Sequence, residues 1–303
     1  MQLIVTVKKL NKRSSAPGSF TEKNIIGAVL EGFRFEGEEI LNPPNPSLGK
    51  WYKDRDGSVY WGGGLIIEPV KIIANLAGMP INLPAVYQLG IDIAHHDENP
   101  DWDAYQKAGA SFVFIKTSEG VGTRDKKAKD HADNAKAHGF RIGYYHFCRP
   151  DTRNGGSVIS DATAEANEVL SVISTLQKPG LPLVLDLEDQ TSWDTPLQPA
   201  DYVLWITTFI KIIKDRSGTD PMFYSRTEYL DRKLPVNHGL GNYKLWLSYY
   251  PKNPDINKVV CPKGWNDWSL WQYTESGIIG KSKAMDINIL KDHALLNDIQ
   301  WQG

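Results

Sequence analysis

The chain has 303 residues, enough for about two domains at roughly 150 residues each. Its 34 basic and 36 acidic residues give a net charge of −2, which argues against a nucleic-acid binder held by a general positive field, and no apolar run approaches the ~20 residues of a membrane span. Two cysteines, Cys148 and Cys261, exclude a disulfide-built scaffold and a cysteine-rich zinc module.

The N-terminus, Met1-Gln2-Leu3-Ile4-Val5-Thr6-Val7-Lys8-Lys9, has a short apolar run closed by lysines. A secretory signal needs charge first and a longer apolar core, so these residues read as a β-strand. The expectation is a protein without a signal peptide, made in the cytoplasm, that reaches any external target by another route. The first ~69 residues carry short β-type pieces at Leu3–Val7, Ile25–Leu30 and Ser58–Trp61 between turns rich in Gly, Pro, Asn and Ser. They predict a small all-β domain over 1–69. Residues 70–86, which include the mostly apolar stretch Val70–Leu83, predict a connector that packs against a domain.

From residue 87 to 303 strand-like and helix-like runs alternate. Leu89–Ala94, Phe112–Thr117, Arg141–Phe147, Leu183–Glu188 and Met222–Ser225 read as buried parallel strands. Trp102–Ala108, Lys126–His138, Asp161–Leu176 and Ala200–Asp215 read as amphipathic helices. Lys244–Ser248, Ser269–Tyr273 and Ala284–Ile289 add three strands without long helices between them. The fold class is α/β: a modified TIM-like (β/α)5(β)3 barrel preceded by a small all-β domain.

Barrel active sites lie at the C-terminal ends of the strands. Strand one holds Asp92, strand four holds Asp186 and Glu188, and strand eight holds Asp286, each within or at the end of an apolar run. Burying an unpaired charge is costly, so acids on three strands call for a reason. Asp186 and Glu188 share one strand face, with Cα atoms about 6.6 Å apart. Asp92 and Asp286 fall on strands that are neighbours in a closed barrel. Clustered carboxylates raise the pKa of at least one member, which then serves as general acid while an ionised neighbour stabilises a cation or directs a nucleophile, as glycoside hydrolysis requires. No His accompanies the acids at ligand spacing, so no metal and no cofactor are expected. His146 reads as a satisfied structural histidine, and Cys148 as a buried thiol. Trp246, Tyr249 and Trp271 sit at late strand ends, where aromatic rings pack a core or stack on sugar.

Seven motifs occur in register: Gly90-Ile91-Asp92-Ile93-Ala94-His95-His96 with Asp101-Trp102, Phe114-Ile115-Lys116-Thr117-Ser118-Glu119-Gly120, Gly143-Tyr144-Tyr145-His146-Phe147, Asp186-Leu187-Glu188, Leu245-Trp246-Leu247-Ser248-Tyr249, Leu270-Trp271-Gln272-Tyr273 and Asp286-Ile287-Asn288. In order and spacing they resemble glycoside hydrolase family 25 lysozymes across residues 87–290. The resemblance implies five βα units and three further strands. It implies cleavage of the β-1,4 bond between N-acetylmuramic acid and N-acetylglucosamine in bacterial peptidoglycan. Carried over by position, Glu188 is the proton donor, Asp186 its partner, and Asp92 and Asp286 complete the cluster. Tyr145, Tyr224, Trp246, Tyr249, Trp271 and Gln272 are the candidate substrate-binding residues. Ala94 departs from the usual Ser, and Cys148 from a small residue; neither is one of the four acids. More faintly, Leu10–Ser14, Gly27–Gly32, Trp51–Lys53 and Trp61–Leu65 resemble a bacterial SH3-type domain, which implies cell-wall binding.

The rival enzyme class, a chitinase-type glycosidase, wants two further acids upstream, where this chain has Leu181 and Val184. The rival outside enzymes is a wall-binding protein with an inert barrel, which four retained acids disfavour. The expected partner is peptidoglycan, with no nucleic acid and no membrane, acted on by a monomer released in the manner of a phage endolysin or exported by a non-classical route.

Overall fold

The computed structural model describes residues 2–67, 87–190, 197–282, 284–291, 295, 299 and 301. The expected connector over residues 70–86 lies outside them. The chain clusters into two compact units, one holding the described residues through Ile67 and the other those from Tyr87 onward.

The first unit is a seven-stranded antiparallel sheet. Its strands are β1 (Gln2–Val5), β2 (Lys9–Arg13), β3 (Ile25–Leu30), β4 (Arg34–Glu39), β5 (Trp51–Asp54), β6 (Val59–Trp61) and β7 (Leu65–Ile67), in the spatial order β3-β2-β6-β5-β4-β1-β7. The sheet has its own core of Leu3, Val5, Leu10, Phe35, Tyr52 and Tyr60. A second cluster forms around Trp51, whose ring Phe20 flanks.

The second unit is a closed mixed barrel of eight strands with helices. Strand β8 (Gln88–Ile93) is followed by α1 (Trp102–Lys107), and β9 (Ala110–Glu119) by the short ribbon β10 (Thr123–Arg124) and α2 (Ala128–Ala137). Then come β11 (Arg141–Phe147) with α3 (Val158–Ile173), β12 (Val184–Asp186) with α4 (Pro199–Ser217), and β13 (Met222–Ser225) with α5 (Thr227–Lys233). Strands β14 (Leu245–Ser248), β15 (Leu270–Gly277) and β16 (Met285–Leu290) complete the ring, with no α-helix between them among the described residues. Strands β8, β9 and β11 to β15 pair in parallel, while β16 runs antiparallel to both β15 and β8 and so closes the barrel. This reversal has a consequence for the site. A strand that runs backwards presents its start, not its end, at the face where the parallel strands finish, so Asp286 near the start of β16 stands opposite Asp92 near the end of β8.

Helix α5, absent from the sequence reading, has only seven residues and buries Tyr229 and Leu230. Two turns carry too little periodicity to register as a helix.

The interior is filled from below by Phe112, Phe114, Val184, Met222, Leu270 and Leu290, with Tyr224 and Trp246 above them. The two Phe rings of β9 need room on both neighbouring strands, and glycine provides it. Gly90 on β8 pairs with Phe112, and Gly143 on β11 pairs with Phe114. A Cβ at either glycine would sit 2.2 Å from the facing ring. Interiors are close-packed, so such a methyl has nowhere to go without displacing aromatic rings. Gly90→Ala and Gly143→Ala are each expected to destabilise the barrel by about 1–3 kcal/mol. Denaturant unfolding checks this, and a midpoint equal to wild type in both variants would show that the rings move aside freely.

Candidate active site

A cavity of about 220 Å³ opens where the parallel strands end, and all four predicted acids line it: Asp92, Asp186, Glu188 and Asp286. Tyr145, Tyr224, Trp246 and Gln272 line it as well. Two of the candidate substrate-binding residues do not. Neighbouring residues on a strand face opposite sides. Gln272 points into the barrel, so Trp271 points out, fully buried, with its indole N–H donating to the Tyr249 carbonyl at 2.8 Å. Tyr249 is exposed and stacks on Trp271 at 6.3 Å, away from the cavity wall. Both are therefore corrected to positions outside it. The cavity also includes Ala94, His96, Lys116 and Phe147. Sequence reasoning did not single out Lys116, although a lysine inside Phe112–Thr117, an otherwise apolar strand, was a visible signal.

The acids form two pairs, one on β8 and β16 and one at the end of β12 and just beyond it. In the first, Asp92 is held by two amides. Gln272 Nε2 donates to its Oδ1 and Oδ2 at 2.9 and 3.0 Å, and Asn288 Nδ2 donates to Oδ1 at 2.6 Å. The amides are themselves oriented: Tyr224 Oη donates to Gln272 Oε1 at 2.6 Å, Tyr250 Oη donates to the same oxygen, and Trp246 Nε1 donates to Asn288 Oδ1 at 2.8 Å. Burial raises the Asp92 carboxyl to about 6, and the hydrogen bonds from Asn288, Gln272 and Asp286 oppose that rise. Asp286 is pushed up to about 9 by burial and by the charge of Asp92, to which it donates. At neutral pH the pair is thus one carboxylate, Asp92, and one carboxylic acid, Asp286.

In the second pair burial is again the first cause. Asp186 is raised well above the ordinary carboxylate range by burial and then by the Glu188 charge. Its Oδ1 has no hydrogen-bond partner among the described residues. Glu188 is raised too, by burial, while Arg226 at 4.0 Å, a hydrogen bond from Asp186 and the charge of Lys116 all pull it down. Asp186 keeps its proton and donates to Glu188, which is 25% exposed and titrates lower. The resemblance makes Asp186 the partner of Glu188; the acid held ionised in the cavity is Asp92, which receives two amide donors.

His146 lies behind the cavity, buried, between Ser118 Oγ and Glu165 Oε2, each at 2.9 Å. Cys148 and Cys261 are free.

Residues 91–281 match the model of glycosyl hydrolases family 25. Over 196 residues the chain is 27% identical to Lysozyme M1 of Streptomyces globisporus, covering 63% of this chain and 63% of that protein. Over 212 residues it is 26% identical to the autolytic lysozyme of Clostridium acetobutylicum, covering 68% of this chain and 57% of that protein. The chain thus spans less than two thirds of the length of either. The crystal structure of the bacterial lysozyme from Streptomyces coelicolor is similar, with a TM-score of 0.59 at 26% identity, covering 69% of this chain and 95% of that chain.

The protonated Asp286 makes folding pH-dependent. Its carboxyl binds a proton in the fold up to about pH 9, against roughly pH 4 in the unfolded chain. Between those limits the folded state holds more protons, so stability falls as pH rises. Asp286→Asn retains a donor toward Asp92 without the titrating group. It is expected to lose less thermal stability than wild type between pH 5 and pH 8, and to melt higher at pH 8. Parallel melting curves across that range would assign the proton elsewhere.

Proposed function

The chain belongs to glycosyl hydrolases family 25, and from that premise we propose that it is a peptidoglycan hydrolase, a muramidase that cleaves the β-1,4 bond between N-acetylmuramic acid and N-acetylglucosamine. One observation carries the proposal: a single cavity holds one acid able to release a proton and, across from it, one carboxylate held ionised by amides. Glycosidases need that division, an acid for the leaving oxygen and an anion for the positive charge that develops on the sugar.

Glu188 is the general acid. It is the more exposed member of its pair, and after it gives its proton to the glycosidic oxygen the Asp186 hydroxyl donates to the carboxylate left behind. Asp92 is the anion that faces the developing cation, and Asp286 holds the proton that keeps the Asp92–Asp286 pair at a single negative charge. Tyr145, Tyr224, Trp246 and Gln272 shape the wall against which the sugar sits.

The finer organisation belongs to the same proposal. The barrel is read as (β/α)5(β)3 over residues 87–303, and residues 1–69 as an SH3-like domain that binds cell wall. Exposed Phe20 and Phe33 on that first unit, beside ordered aromatic rings, support a contact surface. The site of action is the bacterial wall, reached by endolysin-like release or non-classical export.

Glu188→Gln is expected to fold as wild type and to lose about 10²–10⁴ in the rate of wall hydrolysis, the range for a general acid. New reducing ends released from purified peptidoglycan give the readout, and their identity names the bond cut. A folded variant with more than half of wild-type activity removes Glu188 from the chemistry.

Residues 1–68 alone are expected to sediment with peptidoglycan, and the barrel alone to cleave soluble fragments normally but lyse intact walls more slowly, because tethering raises the local concentration of substrate. A folded first unit that sediments with no wall type, beside a barrel that lyses walls at full rate, would make the unit a structural cap.

A further inference from the structure

Lys116 is the single Lys or Arg that lines the acid cavity among the described residues. Three features fix where its ammonium lies. The first is a step in register between β9 and β11: Tyr145 pairs with Lys116, but the next residue, His146, pairs with Ser118. Thr117 is therefore an extra residue on β9, a β-bulge, and its hydroxyl donates to the Tyr145 carbonyl at 3.0 Å. A bulge re-aims side chains by breaking the alternation of faces. Without it, Lys116 and Ser118 would share a face. With it, Lys116 enters the cavity while Ser118 turns to the helix side, where the buried Ser118–His146–Glu165 chain pins it. The second is Glu119, whose Oε2 accepts from Lys116 Nζ at 2.7 Å and whose Oε1 accepts from the Arg149 guanidinium. The third is the Phe147 ring, with Lys116 Nζ 4.9 Å and the Arg149 guanidinium carbon 4.8 Å from its centroid. A flexible lysine is thus held on both sides, with 16% of its side chain exposed.

We propose that Lys116 is a positioning residue for the reaction, a fixed counter-charge that stabilises the carboxylate left on Glu188 once its proton has gone to the leaving oxygen. The inference rests on the muramidase reading and deepens it. Proton release turns a neutral acid pair, Asp186–Glu188, into an anion inside a cavity that already holds the Asp92 charge. That build-up is unfavourable unless a cation stands by, and a preorganised cation costs no rearrangement at the moment of transfer. Arg226 acts on Glu188 from the start of α5 as an exposed partner at 4.0 Å. Lys116 acts from inside, with Asp186, Glu188 and Asp92 lining the same cavity, Tyr145 beside it on β11 and Glu119 at its side. The charge of Lys116 lowers both Asp186 and Glu188, which agrees with this placement.

The test is the pH–rate profile of wall hydrolysis by the full chain, for wild type, Lys116→Met and Lys116→Arg. Activity is lost on the alkaline side when Glu188 ionises before substrate arrives, so removing a nearby positive charge moves that limb to higher pH. Lys116→Met is expected to move it up by about half to one pH unit and to lower kcat by about 10-fold, with KM little changed. Lys116→Arg keeps the charge and is expected to keep the limb. A folded Lys116→Met with its limb at the wild-type position overturns the inference. If Lys116→Met does not fold, the double variant Lys116→Gln/Glu119→Gln leaves no orphaned carboxylate and is judged by the same limb. Failure here is separable from failure of the activity itself: wild type that releases no reducing ends from walls refutes the muramidase reading, whereas an active wild type, an inactive Glu188→Gln and an unmoved limb refute only the role of Lys116.

Discussion

A carboxylate buried at the end of a barrel keeps its charge only if donors replace the water it has lost, and for Asp92 those donors come from the last two strands of the chain. Each amide has its orientation decided by a further donor. Two tyrosine hydroxyls occupy Gln272 Oε1, and the Trp246 indole occupies Asn288 Oδ1, so the NH2 groups have one way to face. The network is therefore directional: hydroxyl and indole donate to amide oxygens, amide nitrogens donate to Asp92. It exists only because β16 closes the barrel against β8, bringing Asn288 opposite Gly90 and Asp286 opposite Asp92. Barrel closure and ionisation of Asp92 are one structural event.

The two acid pairs differ because their surroundings differ, not because their chemistry does. Asp92 has amides, and its partner Asp286 has none among the described residues, so the proton settles on Asp286. On the other wall Asp186 has an oxygen with no donor, while Glu188 has Arg226, Lys116 and the Asp186 hydroxyl. Asp186 consequently keeps its proton and Glu188 becomes the group that exchanges one. Four like residues are sorted at neutral pH into two that keep their protons, one carboxylate and one titrating acid, by donors on four strands and by Arg226 at the start of α5. A sorting of this kind separates acid and base roles at one pH.

Much of the second unit was legible because buried parallel strands read as apolar runs, and a carboxylate in such a run stands out. Asp92, Asp186, Glu188 and Asp286 were found that way, and the structure brings them to one cavity. Tyr145, Tyr224 and Gln272 were named from the resemblance, and they line the same cavity. The alternation of faces along a strand shows why Trp271 fails: residues 271 and 272 cannot both face inward, and the polar one does. Lys116 was obscured for the opposite reason. Its orientation depends on the bulge at Thr117, which is set by pairing with β11 and by the buried Ser118–His146–Glu165 chain, none of which is written in the spacing of β9 itself. Protonation states were also beyond the sequence, since they depend on donors that arrive from residues 180 and 196 positions away.

The aromatic packing below the cavity belongs to the same design. Phe114, Trp246 and Tyr224 stand in contact, with ring centroids 4.8 and 4.7 Å apart, and the two polar members spend their single donors on Asn288 and Gln272. Trp246 and Tyr224 thus do two things each: they fill the barrel, and each fixes an amide that holds Asp92. Filling the bottom lowers the local dielectric, which strengthens every hydrogen bond and charge in the cavity and raises the cost of any group left unpaired. Gly90 and Gly143 are what make room for the Phe112 and Phe114 rings. Loss of either glycine would therefore be felt twice, first as crowding around Phe112 and Phe114, and then, through Trp246, as a misaligned amide beside the one carboxylate that must stay charged.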